Sequence, residues 1–515
     1  MEKANIIFLM TDQQRWDCLG VENPKVKTPN LDRLAKQGVR YRQAVCQSPM
    51  CVSSRNSMMF GYYPSQLGVR SNGGGLFYED KLPSLPMPEL LRRAGYQTAG
   101  FGKTHWNHGV IDKKPSTRGF EHRAGWGVSK GKLYEEGGLD MTAVAPKGEK
   151  AYMDEVANYG RGEEQPAGYI GKTSEVSPEH HPDGFHANQC LEFLDNDLDD
   201  ERPLFLYLSF FKPHAGFNVI KKFEDIYDIN DIPDIPQPPW QEEEGTHIAA
   251  ARENQENWGR RYMGWRKVWE EMSPEERKRT TLRYWANCSW LDDYIGQVLD
   301  KLEKAGRLEN SLIVYTSDHG EMLGERNFLF SKYCLYDSSA RVPLILSGSA
   351  IPEDKRGTVD ERPAELVDIL PTIIKEAGLQ ENPMLPGLDL LSDQEKAGGF
   401  CEFYGGSPEG FGTPSYMWRK KDWKLILFIP GSIKTAITRL DEVEGELYNL
   451  KEDQHEWRNL YKEDKYIKIR EEMKTELLMH LASSWSHGPF FYEQDGLKSL
   501  GVDMSPEDLK NLWEI

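Results

Sequence analysis

Apolar and polar positions alternate in blocks along the first hundred residues. Residues 5–10 are apolar from Ile6 onward, long enough for a strand and too short for a helix, and 96–102 reads as a second strand. Between them Leu31, Leu34 and Ala35 fall on one helical face, with Asn30 as candidate N-cap and Gly38 as the stop. Residues 88–94, closed by Gly95, repeat that plan. Further apolar runs of strand length lie at 204–210 and 312–316, the second after a helical pattern from about 281 to 305. Strands alternating with helices predict an α/β fold with a large, mostly parallel central sheet flanked by helices. In such sheets ligands gather where loops leave the C-terminal ends of strands. Asp12, His214 and Asp318 each follow one of the runs and are therefore expected to converge.

The pattern changes twice. Between about 221 and 278 charge, tryptophan and proline crowd together, including Pro233, Pro236, Pro238 and Pro239, which marks an insertion at the substrate entrance. After about Cys401 the chain turns to short strand-like pieces such as 423–428, then a helix near 467–481. A length of 515 residues exceeds what one core usually supports. The expected division is a catalytic α/β domain over 1–400 that carries the insertion, and a smaller C-terminal α+β subdomain with a tail over 401–515. Leu497, Leu500, Leu509 and Trp513 in that tail could dock on their own chain or on a second copy, so a homo-oligomer stays open.

Composition narrows the partners. With 38% hydrophobic and 11% aromatic residues the chain can bury a large core, and no apolar run approaches the roughly 20 residues that span a bilayer. A net charge of -19 opposes sequence-independent binding to nucleic acid or to anionic membranes, so an anionic substrate must be attracted by a local pocket. Seven thinly scattered cysteines and the lack of a secretory pattern at the N-terminus predict reduced thiols and a cytoplasmic location.

Cys51-Val52-Ser53-Ser54-Arg55, with Gly61 downstream, resembles the sulfatase signature C-x-P-x-R, with Ser53 where that family has proline or, less often, alanine. Cys46 cannot take this part, because Met50 stands where the arginine belongs. On the pentapeptide alone a buried structural thiol competes equally. Asp12-Gln13 and Asp318-His319-Gly320-Glu321 change the balance: each alone would be an ordinary strand-end turn, yet in this order around Cys51 they resemble the two metal-binding pairs of the same family. Thr28-Pro29-Asn30-Leu31-Asp32, Arg341-Val342-Pro343 and Asp368-Ile369-Leu370-Pro371-Thr372 are weaker landmarks, and Glu446-Leu447-Tyr448-Asn449-Leu450 resembles the family's C-terminal segment. The chain is thus similar to the formylglycine-dependent, type I sulfatases of the alkaline phosphatase superfamily over most of its length.

That resemblance implies a sulfuric ester hydrolase. A formylglycine-generating enzyme would oxidise Cys51, and the hydrated aldehyde would attack the sulfur of a small sulfated substrate. Asp12, Gln13, Asp318, His319 and residue 51 would hold one divalent metal ion, Arg55 would steady the nucleophile, and Lys103, His214 and Lys332 would bind the sulfuryl oxygens. His214 would also protonate the leaving group, and His105 would steady or deprotonate the remaining hydroxyl. The roles match the need for fixed positive charge where negative charge grows and for a proton on the departing oxygen. Asp12 and Asp318 balance one divalent cation; the family precedent is calcium, while the imidazole and low ligand charge also suit manganese. Asn72, Trp106, Trp126 and Tyr404 are candidates for leaving-group contacts. A phosphonate monoester or phosphate diester hydrolase of the same superfamily shares these pairs, and an unmodified Cys51 would leave a non-catalytic anion-binding protein. A phosphatase with a serine or threonine nucleophile and two zinc ions fits less well, given the Arg55 spacing.

Overall fold

A computed structural model describes residues 3–72, 84–105, 118–126, 128–129, 132–133, 171–240, 272–404, 414–429 and 444–486. In chain order the main elements of the first part are β1 (Asn5–Asp12), α1 (Pro29–Gln37), β2 (Val39–Val45), α2 (Cys51–Phe60), α3 (Met87–Arg93), β3 (Gln97–Lys103) and β4 (His122–Trp126). They continue with α4 (Pro182–Asn196), β5 (Leu204–Pro213), α5 (Pro274–Lys304), β6 (Ser311–Ser317), β7 (Leu344–Ser347), β8 (Thr358–Glu365) and α6 (Ile369–Glu376). The eight strands form one sheet in the order β8-β2-β7-β6-β1-β5-β3-β4. Only β7 runs against its neighbours, so the sheet is mostly parallel and flanked by helices, the expected fold class.

β1 lies at the centre and is buried along its whole length, which is why its sequence is a continuous apolar run rather than an alternation. Ile6, Phe8 and Met10 face one core with residues of α2 and α6, while Ile7 and Leu9 face the other with α1, α4 and α5. α1 starts at Pro29, which suits the first helical position, and not after Asn30. Asn30 instead donates through Nδ2 to Asp292 Oδ2 at 3.0 Å, tying α1 to α5.

α5 is longer than its periodicity indicates. A capping box, with Glu276 N donating to Ser273 Oγ at 3.3 Å and Ser273 N to Glu276 Oε2 at 2.8 Å, starts it at Pro274. The stretch read as an insertion over 221–278 therefore ends inside a helix; its middle, 241–271, lies outside the described residues.

A second sheet of four antiparallel strands follows, in the order β9 (Gly399–Phe403), β10 (Ser415–Arg419), β11 (Trp423–Phe428) and β12 (Glu444–Asn449). α7 (Ile467–Ser486) buries Met473 and Leu477 against its Trp418, Leu425 and Leu447. The other face, with Cys401, Phe403, Met417 and Ile426, joins the core of the large sheet. Buried charges reinforce that seam. Asp337 accepts from Arg419 Nη2 at 2.7 Å and from Lys424 Nζ at 2.9 Å, and Lys424 also pairs with Glu456 at 2.6 Å. The tail segment 492–515 lies outside the described residues. All seven cysteines are unpaired and buried, and no described helix is long and apolar enough to cross a membrane.

Candidate active site

Sheet register decides which distant residues meet. Thr11 of β1 pairs with Ser317 of β6, so Asp12 and Asp318, each one residue on, lie side by side. On the other flank Asp12 pairs with Pro213 at the end of β5, which brings His214 in, and Gly102 pairs with Ser209, which places Lys103 on the same rim. The four strand ends form one rim at the centre of the sheet.

Cys51 enters from above as the first residue of α2, whose ten residues are all buried. No side chain caps that helix, apart from Asn72 Oδ1, which accepts from Val52 N at 3.1 Å. The positive end of the helix therefore points at residue 51. Gly61 closes the helix with φ 76°, and a Cβ there would press on Leu370 and Leu385.

Around the thiol, Lys332 Nζ stands 3.0 Å from Sγ, His319 Nε2 3.2 Å and Asp12 Oδ1 3.9 Å. Arg55, one turn along α2, is fully buried: Nε donates to Asp318 Oδ2 at 2.6 Å, Nη2 to Asp12 Oδ2 at 3.2 Å, and Nη1 to Lys103 O and Ser209 Oγ. Lys103 Nζ pairs with Asp12 Oδ2. His319 Nδ1 lies 3.0 Å from Gly320 O, an acceptor only, so Nδ1 carries a proton and the lone pair of Nε2 in the neutral ring faces the cluster. The same logic applies to His214, whose Nδ1 is 2.8 Å from Ala215 O and whose Nε2 is 4.0 Å from Asp12 Oδ1. His105, beside Cys51 and interacting with it electrostatically, has a left-handed backbone conformation, φ 54°.

Charge is strongly organised here. Burial opposes ionisation of Cys51, yet Lys103, Lys332 and His319 together draw its thiol well below the ordinary value. Burial and Cys51 push Asp12 up, and Lys103, His214 and Lys332 overcome them to hold it below the usual carboxylate range. Burial lowers His105 and His214; Asp318 outweighs it at His319, which is raised. Lys332 is raised against its burial, chiefly by Cys51, and stays charged.

One ligand atom each from Asp12, Cys51, Asp318 and His319 lie within 4.8 Å of one another. Two carboxylates, an imidazole nitrogen and a thiolate of depressed pKa, all buried, fit a divalent cation. Thus Asp12, Gln13, Cys51, Arg55, Lys103, His105, His214, Asp318, His319 and Lys332 gather at one centre. Trp106 lies outside the described residues, as does the side chain of Trp126. Tyr404 donates to Glu402 Oε2 at 2.8 Å beneath the Arg70 guanidinium. Two roles escape sequence reasoning. Ser209, an anchor of Arg55, carries no signal; Glu321, which accepts from Gln13 Nε2, is visible only once one asks what satisfies that amide.

A mostly parallel sheet that gathers two carboxylates, an imidazole and a ring of cations around a thiol of lowered pKa has the charge pattern that hydrolysis of a tetrahedral oxyanion ester needs. Comparison with known proteins makes this specific. The chain belongs to the sulfatase family, whose model matches residues 4–379, and a model of the N-sulphoglucosamine sulphohydrolase C-terminal region matches 324–483. It is a sulfuric ester hydrolase. It is 30% identical to a choline-sulfatase of Rhizobium meliloti (strain 1021) over 76% of this chain and 70% of that one. It is 26% identical to an arylsulfatase of Clostridium perfringens over 90% and 91%. Among solved structures, the phosphonate monoester hydrolase of Agrobacterium radiobacter shares the fold with a TM-score of 0.73 at 21% identity, covering 94% of this chain and 96% of that one. Membership of the family implies a metal ion and a formylglycine in general.

Proposed function

We propose that the chain hydrolyses a small sulfate monoester with residue 51, converted from cysteine to formylglycine, as the nucleophile. The observation that carries this reading is the position of the Cys51 thiol, at a helix N-terminus and within 3.2 Å of both Lys332 Nζ and His319 Nε2. The choline-sulfatase and arylsulfatase relatives support a small ester as the substrate class.

As formylglycine, residue 51 supplies a hydrated aldehyde with two hydroxyls, one to attack sulfur and one to allow release of sulfate, which a single serine or cysteine heteroatom cannot do. A divalent ion, calcium by family precedent and manganese by donor set, would be held by Asp12, Gln13, Asp318, His319 and residue 51 and would favour the ionised hydroxyl. Arg55 locks both carboxylates and residue 51 on one rigid helix turn, so the attacking oxygen is aimed before substrate arrives. Lys103 and Lys332 face the sulfuryl oxygens and neutralise charge that grows on them. His214, 26% exposed and so at the mouth of the site, gives a proton to the leaving oxygen only once Nε2 is protonated, a form that burial disfavours and the neighbouring Asp12 favours, and His105 steadies the second hydroxyl.

Gln13 and His319 also favour a second reading, a phosphonate monoester or phosphate diester hydrolase, since relatives of that kind carry the same Asp-Gln and Asp-His pairs; all three esters bear one negative charge, so the charge of the site does not separate them. Two measurements test the proposal. Peptide mass analysis of protein from its native host should show formylglycine at 51, and rates on matched aryl sulfate, phosphonate and phosphodiester should rank the sulfate first. Cys51→Ala and Cys51→Ser should both abolish multiple turnover; near wild-type hydrolysis by purified Cys51→Ala would remove this nucleophile from consideration.

A further inference from the structure

An amide presents its oxygen and its nitrogen with almost the same shape, and only the oxygen binds a cation. Gln13 must therefore be turned the right way, and its own backbone cannot do this. The neighbours on its two sides can. Lys332 Nζ, which only donates, lies 2.9 Å from Oε1. Glu321 Oε2 accepts from Nε2 on the other side. The second oxygen of Glu321 is committed as well, accepting from Leu323 N at 3.0 Å and from Ser331 N. Three N–H donors thus converge on one carboxylate, which is fully buried, as is Gln13. Ser331 directly precedes Lys332 and sits in a left-handed conformation, φ 67°, so the same carboxylate also ties down the turn that delivers Lys332.

We propose that Glu321 is a positioning residue that selects the amide orientation of Gln13, turning Oε1 to the metal position and Lys332, and that anchors the Lys332 turn through Ser331 N. The inference rests on the reading of Gln13 as a ligand. Its physical content is a polarity rule: residue 321 must accept, so residue 13 must donate outward and accept inward. Glu321→Gln breaks the rule, because the new amide needs its single oxygen for the backbone donors and turns an NH2 toward Gln13, which flips in response. A carboxylate at 13 offers an oxygen in both directions. Gln13→Glu combined with Glu321→Gln therefore restores the inward oxygen while keeping one acid and one amide at the two positions.

The test is metal affinity of the full-length protein after chelator treatment, with Mn(II) followed by electron paramagnetic resonance and Ca(II) by calorimetry, and folding checked by circular dichroism. Glu321→Gln should weaken both ions roughly 10–100-fold, and the exchanged pair should recover most of that loss. Unchanged affinity in folded Glu321→Gln, or an exchanged pair that binds no better than the single variant, overturns the proposal. Should Glu321→Gln not fold, the exchanged pair decides alone: near wild-type affinity supports the role, and failure to fold or bind ends it. A wild-type protein with no affinity for either ion overturns the ligand reading of Gln13 along with it, whereas wild-type binding matched by Glu321→Gln overturns only the role of Glu321.

Discussion

The rim at the end of β1 and the seam beneath β11 both bury several charged side chains, yet they treat those charges differently. At the seam Asp337 takes Arg419 and Lys424 and is held well below the usual carboxylate range despite its burial, and Lys424 also pairs with Glu456. The cluster joins the small sheet to the large one. At the rim, by contrast, two carboxylates, an imidazole and a thiol bring ligand atoms within 4.8 Å of one another, and the cations Arg55, Lys103 and Lys332 stand around them. Like donors crowded so closely are costly unless a cation and an anionic substrate complete them. Burial of charge alone therefore says little about function; what separates the two regions is that the rim sets a thiol and an imidazole nitrogen beside its paired carboxylates.

The difference can be broken most severely at the rim. Asp318→Asn should lower kcat/KM by at least ~10^3-fold, about 4 kcal/mol of transition-state stabilisation, and should weaken divalent metal binding, while chemical unfolding shows a far smaller change. Comparable losses of stability and activity would make the rim a structural cluster like the seam. At the seam the pattern reverses. Lys424→Met leaves Asp337 and Glu456 short of a partner and should cost about 3 kcal/mol in urea unfolding, with kcat/KM of the folded protein unchanged. A large fall in kcat/KM at full stability would show that the seam reaches into catalysis.

The smallest effect is one of pH. Burial pushes Glu446, which accepts from Tyr336 and Tyr448 hydroxyls at 3.1 Å, up to about 7 from an ordinary 4.5, although Arg326 pulls it down. A raised carboxyl favours the folded state fully below about 4.5, and that contribution is lost as pH rises through 7. Between pH 5 and 8 the wild type should lose on the order of 2 kcal/mol relative to Glu446→Gln. Parallel stability profiles for the two proteins would place the titration elsewhere.

Much of this was written locally. The apolar run of β1 requires a strand buried on both faces, the spacing of Leu31, Leu34 and Ala35 requires a helix packed on one side, and the motifs at 12–13, 51–55 and 318–321 name the chemistry. Composition and periodicity could not show that β7 inserts antiparallel between β6 and β2, or that α5 begins at Pro274, because strand partners and capping boxes are chosen among competing local options.

The sequence by itself determined which side chains are able to ligate, ionise or donate, since those properties belong to residues one at a time. Only the tertiary structure decided their relations: that Arg55 bridges Asp12 and Asp318, that Ser209 holds Arg55 in place, and that Glu321 orients Gln13 across 308 positions of chain. Periodicity reports the face of an element, whereas a hydrogen bond depends on the register between strands far apart in the chain, and that register is set by the packing of the whole sheet.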